Sequence, residues 1–581
     1  MTAPGRVARV LPDVTGLDKE FDYLVPDELA ASLQVGSLVR VPLHGRRVGG
    51  WVLELDPDDS PAAELRPIAK VSSRGPDTAL IDLARWASIR WAAGRLRPFL
   101  VAASPPANVG ALPPERRTKV AVEPVHHDAS DLLASGGGVL RLAPTDDVLP
   151  VLAAAARLGP VLVIVPSVDR ARIDATRLRR AGLAVALVPH EWAQAAGGVD
   201  VVIGARAAAW APCRDLACVV VVDEHDESLQ EERSPTWHAR DVAIERARRA
   251  GAPVVLVSPC PTVSGMVAMG DRLRRPAIDD ERRGWPIVEV VDRGREEPWK
   301  RSLVTPPLIA HLRNNERTVV CVQNTLGRAR IIACRACRTL ARCERCEAAV
   351  GLTDDGVLAC RRCGLERPAV CRNCGATRFA NLRPGVTRLR EELEAAAGRP
   401  VIAITGDTTD PPAAAGIYIG TEAVLHRVRA ADVVAFLDLD VELLAPRYRA
   451  AEQVMALLVR AARLVGSRER GGRLVLQTFL PRHEVVQAAL LADPGRLTVP
   501  ETERRRLLSL PPFAALAAVS GPGHETVAEW LRSVDGVSVG TASGDMDFAR
   551  AATWEELGRA LISAPRPKGS RVRVEVDPPR R

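Results

Sequence analysis

Short aliphatic runs, three to five residues long and separated by helical periodicities, recur through the middle of this chain. One set is Val161–Val165, Val201–Ile203, Val219–Val222 and Val254–Val257. A second is Val319–Val322, Val401–Thr405, Gly416–Ile419, Val433–Leu437 and Leu474–Gln477. Such runs lack the alternation of a half-solvated strand, so both faces must be covered, as in a parallel sheet flanked by helices. Two α/β lobes of parallel sheet are predicted. Ahead of them Val7–Val10, Ser37–Val41 and Val48–Leu55 read as strands and Leu80–Ala93 as a helix, predicting a small β-rich N-terminal domain. Between Ala103 and Gly138, proline pairs and the run Gly136-Gly137-Gly138 read as linker. The tail closes on Val572, Val574 and Val576 alternating with charged residues, a half-buried strand. The resulting division is 1–103, a linker 104–138, a first lobe 139–303, a second lobe 304–482 with an insert at 330–378, and a C-terminal α+β domain 483–581.

Composition adds little to this picture. At 581 residues the chain exceeds what one core supports, and 47% hydrophobic with 26% charged residues is ordinary for a soluble protein. No apolar stretch opens the chain and no run nears the roughly 18 apolar residues of a membrane span, so a cytoplasmic protein without a membrane partner is expected. The net charge of +8 suits a polyanion partner. Only five of the 79 basic residues are lysines, however, and an arginine bias of that kind also follows from a GC-rich genome. Charge alone therefore does not decide.

Cysteine spacing is far more specific. Cys334, Cys337, Cys343, Cys346, Cys360, Cys363, Cys371 and Cys374 form four C-x2-C knuckles within 41 residues. Two residues between cysteines let both sulfurs of a knuckle reach one ion, and eight thiolates suffice for two tetrahedral Zn2+ sites. All-cysteine sites leave no open position, so both ions are expected to be structural. An insert this poor in large apolar residues should fold only around metal. Cys213, Cys218, Cys260 and Cys321 lie in or beside apolar runs and read as buried thiols.

The run Leu216–Val222 ends in Asp223-Glu224-His225-Asp226, carboxylates where an α/β sheet binds ligands. In a nucleotide-driven motor the Asp would hold Mg2+ and the Glu would orient water. With Ile203-Gly204-Ala205-Arg206 upstream and Trp237-His238-Ala239-Arg240-Asp241, Gly420-Thr421-Glu422, Phe436–Asp440 and Arg449-Ala450-Ala451-Glu452 downstream, this chain resembles the primosomal replication-restart helicase family, PriA. The cysteine block has that family's order and position. Phe21-Asp22-Tyr23-Leu24-Val25-Pro26 with Val39-Arg40-Val41-Pro42 is similar to its N-terminal domain, and Leu510-Pro511-Pro512-Phe513 to its C-terminal region.

The resemblance implies two RecA-like lobes and an N-terminal domain that captures the 3′ end of a nascent strand through Phe21, Asp22 and Tyr23, with Arg66 as a further basic residue. It implies that the outer knuckles share one zinc and the inner knuckles the other. It also implies DNA forks, other primosome proteins and the replicative helicase or its loader as partners. Several motor parts depart from the family pattern. A phosphate loop needs G-x-x-x-x-G-K-[ST], and the corresponding stretch here is Leu142-Ala143-Pro144-Thr145-Asp146-Asp147. The family's S-A-T-P becomes Ser258-Pro259-Cys260-Pro261, and counting on from Arg449 places Leu464 and Ser467 at the arginine-finger positions, with Arg460 and Arg463 out of register. These departures predict a degenerate nucleotide site around Asp223 and Glu224 and a fork-recognising protein that is not an enzyme. The alternatives are an active ATP-dependent 3′-to-5′ helicase with an unorthodox phosphate site, and a zinc-ribbon nucleic-acid adaptor outside replication.

Overall fold

β-Branched residues lose little on entering a strand and fill a covered sheet well, and the aliphatic runs form strands accordingly. The computed structural model describes residues 6–59, 65–118, 122–295, 303–323, 332–337, 339–353, 356–360, 363–381, 386–404, 416–543, 546–567, 569 and 571–580. Thr405, expected to end a strand, lies outside the described residues.

Seven strands make the first parallel sheet, in the order Leu273–Arg274, Gly137–Arg141, Val254–Ser258, Cys218–Val222, Val161–Ile164, Val201–Gly204 and Val185–Leu187. Six make the second, in the order Ile287–Asp292, Arg473–Thr478, Val433–Phe436, Val319–Val322, Ile417–Gly420 and Val401–Ile404. Both faces of each sheet are buried: Val219 and Val221 point into one apolar cluster, and Val220 and Val222 into another. That double coverage is why the runs are apolar without alternation.

Ahead of the lobes lies a five-stranded antiparallel sheet in the order Phe21–Leu24, Val7–Pro12, Arg46–Leu55, Leu38–Leu43 and Lys70–Ser73. The helix Thr78–Arg90 follows, its first turn capped by the Asp77 carboxylate accepting from Leu80 N. A four-stranded antiparallel sheet, built from Ser538–Ser543, Met546–Ala551, Ala515–Ser520 and Arg573–Val576, closes the chain. Its core side, the Thr78–Arg90 helix and one face of the first lobe share a single apolar cluster.

Three expectations are corrected here. The stretch 104–138 is not linker throughout: His127–Ala134 is a helix whose Ala129, Leu132 and Leu133 enter the first lobe's core. Gly137 and Gly138 are buried in a strand paired on both sides. A Cβ on Gly137 would stand 2.2 Å from the Val254 carbonyl oxygen, and its φ is 96°, so glycine there serves close strand packing. The strand Ile287–Asp292, inside the segment assigned to the first lobe, pairs with Arg473–Thr478 of the second. Likewise Val485, Val486, Ala488, Ala489 and Leu497 belong to the second lobe's core, so the second lobe's packing runs past 482.

Candidate functional site

Asp223 follows the central strand Cys218–Val222 with φ 53°, which turns the chain sharply and leaves both carboxylates at the sheet's C-terminal edge. Across the cleft the helix Ala450–Val465 presents two arginines one turn apart. Arg463 grips Asp223 with two N–H donors at 2.7 and 2.5 Å, and Arg460 donates to Asp226 at 2.7 Å. Both arginines thus face the first lobe although they stand outside the family's motif register. Spacing i, i+3 puts them on one helix face, toward the first lobe, whereas Leu464 turns into its own lobe's core and Ser467 lies past the helix end. Burial alone would push the Asp223 carboxyl up; Arg463 more than reverses this and brings it to about 2.

Glu224 is buried and fully engaged. It accepts from Thr262 N at 2.6 Å, Thr262 Oγ1 at 2.9 Å and Arg240 Nη1 at 3.1 Å. Thr262 follows Ser258-Pro259-Cys260-Pro261 and caps the next helix, a position that motif matching passed over. His225 Nδ1 lies 2.9 Å from Ser258 Oγ, and burial holds its pKa below the usual histidine range. Both carboxylates of the loop Leu142–Asp147 are taken by protein donors: Asp146 accepts from Ala143 N at 2.9 Å, and exposed Asp147 pairs with Arg177. Arg463 Nε also donates to the Pro144 carbonyl at 3.0 Å.

The cysteines form two tetrads, Cys334, Cys337, Cys371 and Cys374, and Cys343, Cys346, Cys360 and Cys363. Within each, the sulfurs lie within 4.8 Å of one another, with individual contacts of 3.4 to 3.5 Å. A tetrahedron of metal–sulfur bonds about 2.3 Å long places sulfurs roughly 3.8 Å apart, so both tetrads could hold an ion. Local turns build them. The residue just after the second cysteine has positive φ in three knuckles, at Glu347 (60°), Gly364 (73°) and Gly375 (74°). There Glu347 N, Gly364 N and Gly375 N donate back to the carbonyls of Cys343, Cys360 and Cys371.

In the N-terminal sheet, Phe21 and Tyr23 share one face and Asp22 the other, as strand periodicity requires. Tyr23 is buried and donates to the Pro42 carbonyl at 3.2 Å, while Phe21 is half-buried against the same cluster. Asp22 accepts two N–H bonds from Arg9, at 2.9 and 3.2 Å, its directly opposite neighbour in register. Arg66 is exposed, close enough to Tyr23 to act on its hydroxyl electrostatically. The four do not converge on one point. Arg9 was missed, because only the antiparallel register reveals its partner.

Both lobes, the cysteine insert and one face of the C-terminal sheet border a cavity of about 2500 Å³. Arg170, Arg345, Arg550 and Arg573 line it beside Asp226, Glu227 and Glu231. Among the described residues no helix is long and apolar enough to cross a membrane.

Residues 9–98 match a family model described as the 3′ DNA-binding domain (3′BD) of PriA. The chain is 31% identical over 576 residues to the probable replication restart protein PriA of Mycobacterium tuberculosis (strain ATCC 25618 / H37Rv), covering 89% of this chain and 86% of that protein. It is 29% identical over 357 residues to the replication restart protein PriA of Bacillus subtilis, covering 57% of this chain and 44% of that relative. Among solved structures, a point variant of Saccharomyces cerevisiae Dbp5 bound to RNA and ADP BeF3 aligns at 10% identity and a TM-score of 0.34, over 63% of this chain and 88% of that one. The expectation that the protein is not an enzyme is overturned. Similarity to replication restart proteins runs through both lobes rather than stopping at the DNA-binding domain. In the cleft, Arg460, Arg463 and Thr262 bond to Asp226, Asp223 and Glu224.

Proposed function

Because the chain belongs to the replication restart protein PriA family, we propose that it recognises stalled or abandoned replication forks in the cytoplasm and promotes reloading of the replicative helicase. The observation that carries this reading is the match of residues 9–98, the five-stranded sheet and its following helix, to a 3′ DNA-binding domain. Nascent-strand 3′ ends are its ligand, with Phe21, Asp22, Tyr23 and Arg66 at or beside the contact. The Asp22 carboxylate has lone pairs beyond the two that Arg9 occupies, enough to accept a terminal 3′-hydroxyl. Both cysteine tetrads hold structural zinc in this reading, supported by their all-sulfur donor sets and tetrahedral spacing. Other primosome proteins and the helicase or its loader are the partners. Equilibrium competition between a fork and a linear duplex of equal length tests this: the fork should win clearly at physiological salt, and equal affinity would contradict it.

A second reading, ATP-driven 3′-to-5′ movement on DNA, is favoured by Arg460 and Arg463 meeting Asp226 and Asp223 across the lobes. The phosphate site is then degenerate, since the Leu142–Asp147 loop has no lysine and its Ala143 amide is taken by Asp146. Nucleotide would be held by the arginines and backbone instead. DNA-stimulated ATP hydrolysis that Glu224→Gln abolishes would establish this reading, and hydrolysis indifferent to Glu224→Gln would contradict it.

A further inference from the structure

We propose that the segment Val576–Arg580 is a strap that latches the two lobes together, so that cleft width depends on this part of the chain. The segment leaves the C-terminal sheet, turns at Asp577 with φ 54°, and runs between the lobes, bonding to both. Toward the first lobe, Thr236 Oγ1 donates to the Val576 carbonyl at 2.8 Å and Gln230 Nε2 to the Asp577 carbonyl at 2.9 Å. Arg580 Nη2 donates to Glu227 at 2.9 Å. Toward the second lobe, Arg449 Nη2 donates to both Asp577 oxygens at 2.7 Å, joined by the Tyr448 hydroxyl. Gln453 Nε2 donates to the Pro579 carbonyl at 2.7 Å, and Arg580 reaches Glu422 at 3.5 Å.

The charge arrangement makes this more than surface contact. Asp577 is buried, and the guanidinium of Arg90 also acts on its carboxyl from the N-terminal helix. Buried Arg240 and half-buried Asp241 stand in the same cluster. Without the Asp577 carboxylate, Arg449 would face this cluster with its bidentate partner gone, and moving the lobes apart to hydrate it becomes the relief. Direct lobe-to-lobe bonds add to these: the two arginine–aspartate pairs, Arg463 Nε donating to the Pro144 carbonyl at 3.0 Å, Arg141 Nη1 donating to Asp493 at 3.3 Å, and Val263 N donating to Glu452 at 2.7 Å. The strap completes the closure, and a ligand that displaced it would open the cleft from a distance.

The Val263 amide is bonded across the lobes and reports on closure by hydrogen exchange. In full-length, metal-loaded protein, Asp577→Ala should speed exchange at Val263 and around Asp226 by about tenfold or more, the change expected from losing one hydrogen bond to a charged group. Amides of the edge strand Val185–Leu187 should be unchanged. Faster exchange confined to the C-terminal sheet, with Val263 unaffected, would overturn the proposal. If Asp577→Ala loosens the whole chain, the double variant Gln453→Ala/Arg580→Ala decides, because it cuts contacts to both lobes and spares the Asp577 ion pair. It should accelerate Val263 in the same direction, and no acceleration there would overturn the strap.

Discussion

Asp223 shows how one buried carboxylate constrains what a residue can do. Its side chain is 4% exposed and that of Arg463 34%, so only the guanidinium side of the pair meets solvent. Removing a partner from a buried pair costs about 3–5 kcal/mol, and the exposed guanidinium places Arg463→Ala near the lower end, about 3 kcal/mol by chemical denaturation. The sign with pH follows from the lowered carboxyl. Its stabilisation is fully present above the unfolded carboxylate range and is lost as pH falls through about 2. The gap between wild type and Arg463→Ala should thus stay flat from pH 5 to 8 and shrink in acid. His238 acts in the same direction over a higher pH window. Burial pushes it down to about 3, so between there and about 6.5 only the unfolded chain takes up the proton. Replacing it by Asn keeps a cap for Arg240 N without the titration. Wild type should lose up to about 1.4 kcal/mol per pH unit relative to His238→Asn as pH drops below 6.5. A gap independent of pH from 7 to 4 would mean that the ring is not held neutral. Such pairings were not legible in the sequence: Arg463 and Asp223 stand 240 residues apart, and motif counting followed the family's register rather than the helix face.

Among the elements, the cysteine insert was read most fully and the glycine run least. Four identical spacings within a short stretch leave one chemical explanation, and the tetrads assemble outer with outer and inner with inner. Metal analysis of purified protein should find two zinc ions per chain, and Cys343→Ser should lower that to one. Structural zinc contributes roughly 10–16 kcal/mol, comparable with a whole domain's stability, so chelation should unfold the insert and leave the N-terminal sheet folded. Retention of the insert's amide protection after chelation would refute this. Glu347 occupies a left-handed turn position that Gly364 and Gly375 fill in two other knuckles. Relief of that strain should let Glu347→Gly stabilise the insert by about 0.5–1 kcal/mol in a thermal melt of metal-loaded protein. The run Gly136-Gly137-Gly138 misled because glycine marks both flexible linkers and backbones in close contact. Only the neighbouring strand, with the Val254 carbonyl against Gly137, tells the two apart.

For the whole molecule, fold class was readable because doubly covered strands must be apolar, but borders were not. Ile287–Asp292 crosses into the second sheet, and the helix Glu484–Leu490 packs beneath it, through pairings that no local pattern encodes. The proposed activity also belongs to this scale, since it asks whether the arginine-rich surface and the N-terminal sheet act together on DNA. Electrostatic contacts should give a log–log salt dependence with a slope of about −0.9 per phosphate neutralised on duplex. Recognition of a strand end should add affinity that salt barely alters. The most direct measurement is the affinity of wild-type protein for two forks identical except that the nascent strand ends in a free 3′-hydroxyl or a blocked one. Tighter binding to the free end, lost in Asp22→Ala with the salt slope unchanged, is the result this account predicts. Equal affinity of wild type for the two forks would contradict it.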